Sequence, residues 1–297
     1  MAGFNRREHA YVAQAFDPSN FPRHKLAESQ VPTKESSDVY GAATSGDVER
    51  LKSALAAGGN PNWYNHSDEG ATALHKAAEG GHVGCIEVLL KSGRVTNVAV
   101  IDERLLTSHN SPLHLACAIG HLDVVKQLLS KGAPVNSGNS YGNAPIHGAL
   151  IRGHREIVEL LLEKGVDARW TNNKGSTLLH FLVYSPMEDG DSQAIGRKLI
   201  EAGVNVDAKG PPHEANGQIP ADYSGKQNMD GMTPLHVVAR GGNATMAAFL
   251  LDNGADRTIE DTEGKTALRW AQLNTHTAVG LLLTDERVGS RSLQRPP

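Results

Sequence analysis

The chain has 297 residues, of which 39% are hydrophobic and 5% aromatic, and its formal net charge is −4. A slightly acidic chain lacks the positive surface that binding to nucleic-acid phosphates requires, so we expect no nucleic-acid partner. No apolar run approaches the length of a bilayer-spanning helix and no apolar segment follows residues 1–8, so we expect neither membrane contact nor a secretory signal.

Residues 1–37 precede the first repeated pattern and form an N-terminal extension. Phe4, Tyr11 and Ala15 have helical spacing, and Pro18 ends this pattern. We predict a capping helix that covers the apolar face of the first repeat. A disordered arm or a partner-binding peptide is the alternative interpretation.

A short phrase then recurs along the chain: a two- or three-residue lead, then Leu or Ile, then His. The five copies are residues 72–75, 111–114, 144–147, 177–180 and 233–236. A sixth copy at 266–269 keeps the frame but ends in Arg269. The lead residues 72, 111, 144, 177, 233 and 266 are 39, 33, 33, 56 and 33 residues apart, so a period of 33 is interrupted by insertions.

The phrase and its surroundings resemble the ankyrin repeat. Residues 111–121 follow the family's Thr-Pro-Leu-His-x-Ala-Ala-x-x-Gly-His pattern closely, and paired Leu and a Gly-Ala-x-x-Asn turn follow at 128–136. A degenerate first unit fits at 39–62. The resemblance implies an all-α repeat solenoid of about seven helix-turn-helix units with finger loops. Its domain spans residues 38–287, between the N-terminal extension and a tail at 288–297.

The local sequence agrees with this architecture. The lead Thr suits the N-cap of the inner helix and the following Pro suits its first turn. Residues 155–164 place apolar side chains on one stripe of the outer helix, and Gly165 provides a left-handed end, as do glycines at 93, 132, 203 and 254. In the family, the His residues of the phrase and of the Gly-His turn bond backbone groups. Nine of the 14 histidines are therefore predicted to be scaffold.

The copies differ mainly in their fingers. Measured from the outer-helix Gly to the next lead residue, the connections after the first, second and fifth units are longer than the regular one by 2, 6 and 18 residues. The largest insertion, at about 208–230, is rich in Gly and Pro and is predicted to be non-helical. It is either a functional or an ordinary loop. Five further residues enter the fifth unit near 185–191.

The resemblance places ligand contacts on the finger tips and on the exposed side of the inner helices. Trp63 and Trp170 occupy equivalent finger positions and are either anchors or packed on a neighbouring finger. An apolar patch is predicted around Ile119 and Ile151. An acidic cluster near the N-terminal end is either solvated or a seat for a basic peptide. The candidate partner-binding residues are Trp63, Tyr64, Asp68, Glu69, Glu79, Asn110, Ile119, Tyr141, Asn143, Ile151, Arg152, Trp170, Lys174, Tyr184, Met232 and Arg240.

These residues predict a non-catalytic module that binds a protein or peptide in a concave groove. The alternative is an enzyme or a small-molecule binder with an apolar pocket beside the long fingers. Candidates for acid–base chemistry in that pocket are Arg152, His109, Asp68 and Glu69. No nucleophile, phosphate-loop, metal or cofactor signature accompanies it, so we expect no metal and no cofactor.

Two cysteines, Cys85 and Cys117, cannot form a disulfide framework, so we expect reduced thiols in the cytoplasm or the nucleus. About ten residues follow the last unit, and we expect no appended domain such as a SOCS box.

Overall fold

The structure is a computed structural model that describes residues 33–65, 67–93, 95, 108–210 and 231–285. The predicted capping helix before residue 33, most of the 208–230 insertion and the 288–297 tail lie outside these residues. The described helices are α1 (Lys34–Ser45), α2 (Val48–Ala56), α3 (Ala73–Glu79), α4 (Val83–Lys91), α5 (Pro112–Ile119), α6 (Leu122–Ser130), α7 (Pro145–Arg152), α8 (Arg155–Glu163), α9 (Leu178–Leu182), α10 (Asp189–Glu201), α11 (Pro234–Gly241), α12 (Ala244–Asp252), α13 (Ala267–Leu273) and α14 (Thr277–Thr284).

Successive helices form pairs, which we number as units 1 to 7, and the odd-numbered helix of each pair is the inner one. Inner helices pack on inner helices and outer helices on outer ones, so each unit contacts its neighbours. The Leu or Ile of the repeated phrase is at most 2% exposed in units 2 to 6. A single apolar cluster runs from Val39 to Leu283. The predicted repeat solenoid is therefore confirmed.

The helix ends follow the predicted chemistry. The hydroxyl of Ser111 accepts a hydrogen bond from the backbone N–H of His114 at 3.3 Å and so caps α5, and Pro112 lies in the first turn. Gly165 ends unit 4 with a φ of 83°, a left-handed conformation that residues with a side chain rarely adopt. The inserted residues near 185–191 contribute to α10, which has 13 residues where the outer helix α8 has 9.

The fingers are short antiparallel turns at one edge of the helix stack. In the finger between units 1 and 2, β1 (Tyr64–Asn65) pairs with β2 (Ala71–Thr72), with Tyr64 opposite Thr72. A single bridge, Thr171 with Thr177, closes the finger between units 4 and 5. Over the described ranges, no helix has the length and apolar character needed to cross a membrane.

Candidate functional site

Buried histidines join neighbouring units beneath the fingers. In unit 3 the Ser111 hydroxyl donates to Nδ1 of His114 at 2.7 Å, and Nε2–H of the same ring donates to the carbonyl of Asn143, 2.9 Å away in the next finger. We call this cross-unit bond the phrase link. His75, His180 and His236 form the same link to the carbonyls of Asn110, Met232 and Lys265, each at 3.0 Å.

A second histidine bond joins each turn to the preceding unit. Nε2–H of His121, at the start of α6, donates to the carbonyl of Glu79 at the end of α3, 2.9 Å away. We call this bond the turn link. His82, His154 and His276 form it with the carbonyls of Thr44, Ala118 and Arg240 at 3.1, 3.3 and 3.1 Å. The prediction that the repeated histidines bond backbone groups is confirmed for these rings.

At the N-terminal end, the acidic cluster is part of a bonded network. The Tyr40 hydroxyl donates to the Asp68 carboxylate, and the Lys76 ammonium lies 3.2 Å from Asp68 and 2.5 Å from Glu79. The hydrogen bond from Tyr40, aided by Lys76, holds the pKa of Asp68 below its ordinary value. Lys76 therefore compensates two of the three predicted carboxylates. Glu69 is exposed beside them on the finger tip.

The first pair of predicted aromatic anchors is buried. Trp63 is 8% exposed and Tyr64 is 4% exposed. The Trp63 ring meets the edge of Tyr40 at a centroid distance of 5.7 Å, which ties the finger to α1. Exposure of these two side chains in the groove is therefore not observed. Among the described residues, Trp63 packs on Tyr40 of unit 1 rather than on a neighbouring finger.

Three other predicted contact residues are also buried: Asn110, Asn143 and Met232. The Asn110 side-chain oxygen accepts from the Asn139 amide at 2.9 Å, and that of Asn143 accepts from the Asn172 amide at 3.1 Å, so adjacent fingers form an amide ladder. Together with Met232 they also supply the carbonyls of three of the four phrase links. Their exposure in the groove, as expected from the sequence, is therefore not observed.

Trp170 joins the same ladder but keeps a half-buried ring. Its indole N–H donates to the carbonyl of Gly142 at 2.7 Å, so the ring lies across the preceding finger. Tyr141, in that finger, is half-buried, whereas Lys174 is exposed on the next one. Trp170 thus packs on its neighbouring finger, the alternative that the sequence left open, and presents only part of its ring.

An accessible apolar surface lies near the ends of three successive inner helices. Ile119, at the end of α5, is 44% exposed, and Ile151 and Tyr184 in the next two units are half-buried. We call these three side chains the mid-groove patch. Arg152 is exposed next to Ile151 in the chain. Burial raises the pKa of Tyr184 to about 12, and the positive charge of Arg240 partly offsets this effect.

At the C-terminal end, two cationic side chains lie near one tryptophan ring. The Arg240 guanidinium lies 5.6 Å and the Lys265 ammonium 4.5 Å from the centre of the Trp270 ring, while the indole N–H donates to Asp261 at 2.7 Å. Sequence reasoning missed this cluster, as it missed Lys76 and Tyr40 at the other end. The available signal was the basic residue on an inner helix, Lys76 of α3 and Arg240 of α11.

The described side chains include no group of three or more His, Cys, Asp or Glu residues arranged to hold a metal ion. Both cysteines are free thiols, and burial raises the pKa of Cys117 above its ordinary value. Asp68 is one candidate for acid–base chemistry. Its carboxylate accepts a hydrogen bond from Tyr40 and forms an ion pair with Lys76.

Comparison with known proteins identifies the family. The model described as "Ankyrin repeats (3 copies)" matches residues 39–139, 113–210 and 214–292, so the chain belongs to the ankyrin-repeat family. The ankyrin repeat domain of human ASB11, a solved structure, covers 83% of this chain with a TM-score of 0.62 and 29% identity, and 97% of that domain is matched. The family and fold predicted from the repeated phrase are therefore confirmed.

Relatives among characterised proteins are larger. The E3 ubiquitin-protein ligase KEG of Arabidopsis thaliana is 28% identical over 262 residues, which are 84% of this chain but 14% of that protein. Human ankyrin repeat and SOCS box protein 2 is 34% identical over 128 residues, 43% of this chain and 18% of its own length. The chain thus spans less than a fifth of either relative. Ankyrin repeats generally serve as protein–protein interaction modules.

Proposed function

We propose that the protein binds a protein or peptide partner at the mid-groove patch, without catalysis. The supporting observation is the exposure of Ile119 at 44%, with Ile151 and Tyr184 partly exposed on the next two units, whereas the Leu or Ile of the repeated phrase is buried in units 2 to 6. Apolar side chains grouped in a concave surface are typical anchors for a partner, since their burial removes apolar area from water.

The charges around the patch favour an acidic partner. The described groove positions of units 4 and 5 include Arg152 and Lys174 but no carboxylate. These positions are fingers 140–143 and 173–176 and helix ends 151–152 and 184–185. At the other end, Lys76 compensates Asp68 and Glu79, two of the three acidic side chains. We therefore propose a segment with an aliphatic or aromatic residue flanked by Asp or Glu. A basic peptide seated at Asp68, Glu69 and Glu79 is less favoured.

The remaining candidate side chains divide by exposure. Lys174, Arg152 and Glu69 are exposed and could contact a partner directly, and Tyr141 and Trp170 expose part of their rings. Free thiols at Cys85 and Cys117 suit a reducing compartment, so we propose the cytoplasm or the nucleus as the site of action.

Selection from a random peptide display library tests this proposal. We expect acidic peptides with one large apolar residue, and Ile119→Glu should weaken their binding at least about tenfold, because it places a charge in the contact. Leu281→Glu is the matched control, since Leu281 is 66% exposed on the outer helix α14, away from the groove. Circular dichroism establishes that both variants fold. Selected peptides that bind Ile119→Glu as tightly as the unchanged protein would refute the patch.

A small-molecule ligand is the second candidate, and one observation favours it. The Tyr184 hydroxyl is buried, and no described residue forms a hydrogen bond with it. A ligand with an acceptor could satisfy this group. Native mass spectrometry of the protein purified from its host tests this; a bound small mass that is lost in Tyr184→Phe supports it, and the bare protein mass contradicts it.

A further inference from the structure

The junction between units 4 and 5 differs from the others in its histidine bonds. Junctions 2–3, 3–4 and 6–7 have both the phrase link and the turn link, junction 1–2 has a turn link, and junction 5–6 has a phrase link. Among the described residues, neither link joins unit 4 to unit 5.

The phrase link is lost because unit 4 begins with alanine. Ala144 has no hydroxyl, and Nδ1 of His147 lies 3.1 Å from the Ala144 carbonyl. A carbonyl only accepts, so Nδ1 must carry the proton and Nε2 becomes an acceptor. That Nε2 atom is buried, and no described group bonds to it. The ring instead meets the edge of Phe181 at a centroid distance of 4.7 Å.

The turn link is lost because a proline replaces the histidine. At junction 3–4 the ring of His154 packs on Gly120, where an added Cβ would lie 2.5 Å from the ring. At junction 4–5 the corresponding Gly153 packs on Pro186, with Cγ of the proline 2.9 Å from such a Cβ. The proline ring fills the same space but has no donor for a carbonyl of unit 4.

Exposed ion pairs join the outer helices at this junction. Arg155 of α8 lies 2.6 Å from Asp191 of α10, and Lys198 of α10 lies 3.5 Å from Glu159 of α8. All four side chains are at least about a quarter exposed, so water and salt screen them. Neutral histidine hydrogen bonds, of which the phrase links are mostly buried, are thus replaced by ion pairs that contribute little.

We propose that the junction between units 4 and 5 is a joint that divides the solenoid into two arms, units 1–4 and units 5–7. In a repeat protein the stability is close to a sum of unit terms and neighbour terms, so a weak neighbour term concentrates partial opening at one place. The mid-groove patch spans the joint, with Ile119 and Ile151 on one arm and Tyr184 on the other. A partner seated across it would hold the arms together; this consequence, unlike the joint, rests on the proposed function.

Hydrogen exchange of the full chain, measured by mass spectrometry without any partner, tests the joint. We expect the amides of α9 to exchange faster than those of α7 and α11. Ala144→Thr restores the hydroxyl, allowing His147 to take the orientation of His114, and should slow exchange in α9 about tenfold. Ala144→Ser makes the same change with less added volume, in case Thr does not fit at this buried position.

Thr233→Ala is the matched control, because it removes the same hydroxyl from unit 6. It should accelerate exchange in α13 about tenfold and leave α9 unchanged. If both folded variants, Ala144→Thr and Ala144→Ser, have the same amide exchange rates in α9 as the unchanged protein, the joint is refuted. The peptide-binding proposal is then unaffected, since the experiment includes no ligand.

Discussion

His114 and His147 lie one repeat apart, follow the same Pro-Leu or Pro-Ile lead and are both buried, yet only His114 joins two units. Ser111 donates to Nδ1 of His114 and leaves Nε2–H free to reach Asn143. Ala144 offers only a carbonyl, which takes the proton of His147 Nδ1. The residue three positions before the histidine therefore sets its tautomer. The tautomer in turn decides whether Nε2–H can donate a hydrogen bond to the next unit.

Acid should have the largest effect on these two regions. Burial lowers the pKa of His114 and His180 to about 4 and that of His147 to about 3, from an ordinary value of 6.5. Above pH 6.5 both folded and unfolded chains hold these rings neutral. Below it the unfolded chain binds protons that the folded one does not, so the free energy of unfolding falls by about 1.4 kcal/mol per pH unit for each ring.

Urea unfolding followed by circular dichroism between pH 7 and pH 5 measures this slope. The three rings together predict a loss of several kcal/mol over this range, and His147→Leu should reduce the slope by about one ring's share. An unfolding free energy that is the same at pH 5 as at pH 7 would contradict the burial of neutral histidines.

Much of the architecture could be predicted from the sequence, because it follows from local chemistry. The lead hydroxyl at Ser111, the proline after it and the glycine at 165 each act within a few residues of the chain. Burial on the fingers could not be predicted in this way. Trp63 is covered because Tyr40, more than twenty residues earlier, packs against it, and Asp68 is compensated by a lysine of the next helix.

The partly predicted patch illustrates the same limit. Ile119 and Ile151 were identified from the frame, since they replace polar residues at positions that face the groove. The missing histidine bonds at Ala144 and Pro186 were not identified from the sequence, although both substitutions are visible in it. Their meaning depends on which carbonyl each ring would have reached in a neighbouring unit.

Replacing the two rings with leucine should give the next largest difference. His114→Leu leaves the Ser111 hydroxyl and the Asn143 carbonyl without the ring and should cost about 3 kcal/mol. His147→Leu removes a buried nitrogen that has no described partner and keeps an apolar contact with Phe181, so its cost should stay within about 1 kcal/mol. Urea unfolding at neutral pH compares them, and equal losses would show that the tautomer difference has no energetic consequence.

Salt should produce the smallest effect and should act on one junction only. Raising the salt concentration from about 0.05 M to about 0.5 M shortens the screening length to less than about 5 Å and weakens exposed pairs such as Arg155–Asp191. The buried phrase link at junction 3–4 carries no net charge and should not respond. Exchange in α10 should therefore accelerate by less than about threefold while exchange in α7 stays constant. Asp191→Asn should reduce the salt response of α10, because only the Lys198–Glu159 pair then remains between α8 and α10. A response of equal size in both helices would mean that salt acts on the whole solenoid rather than on the ion pairs of the joint.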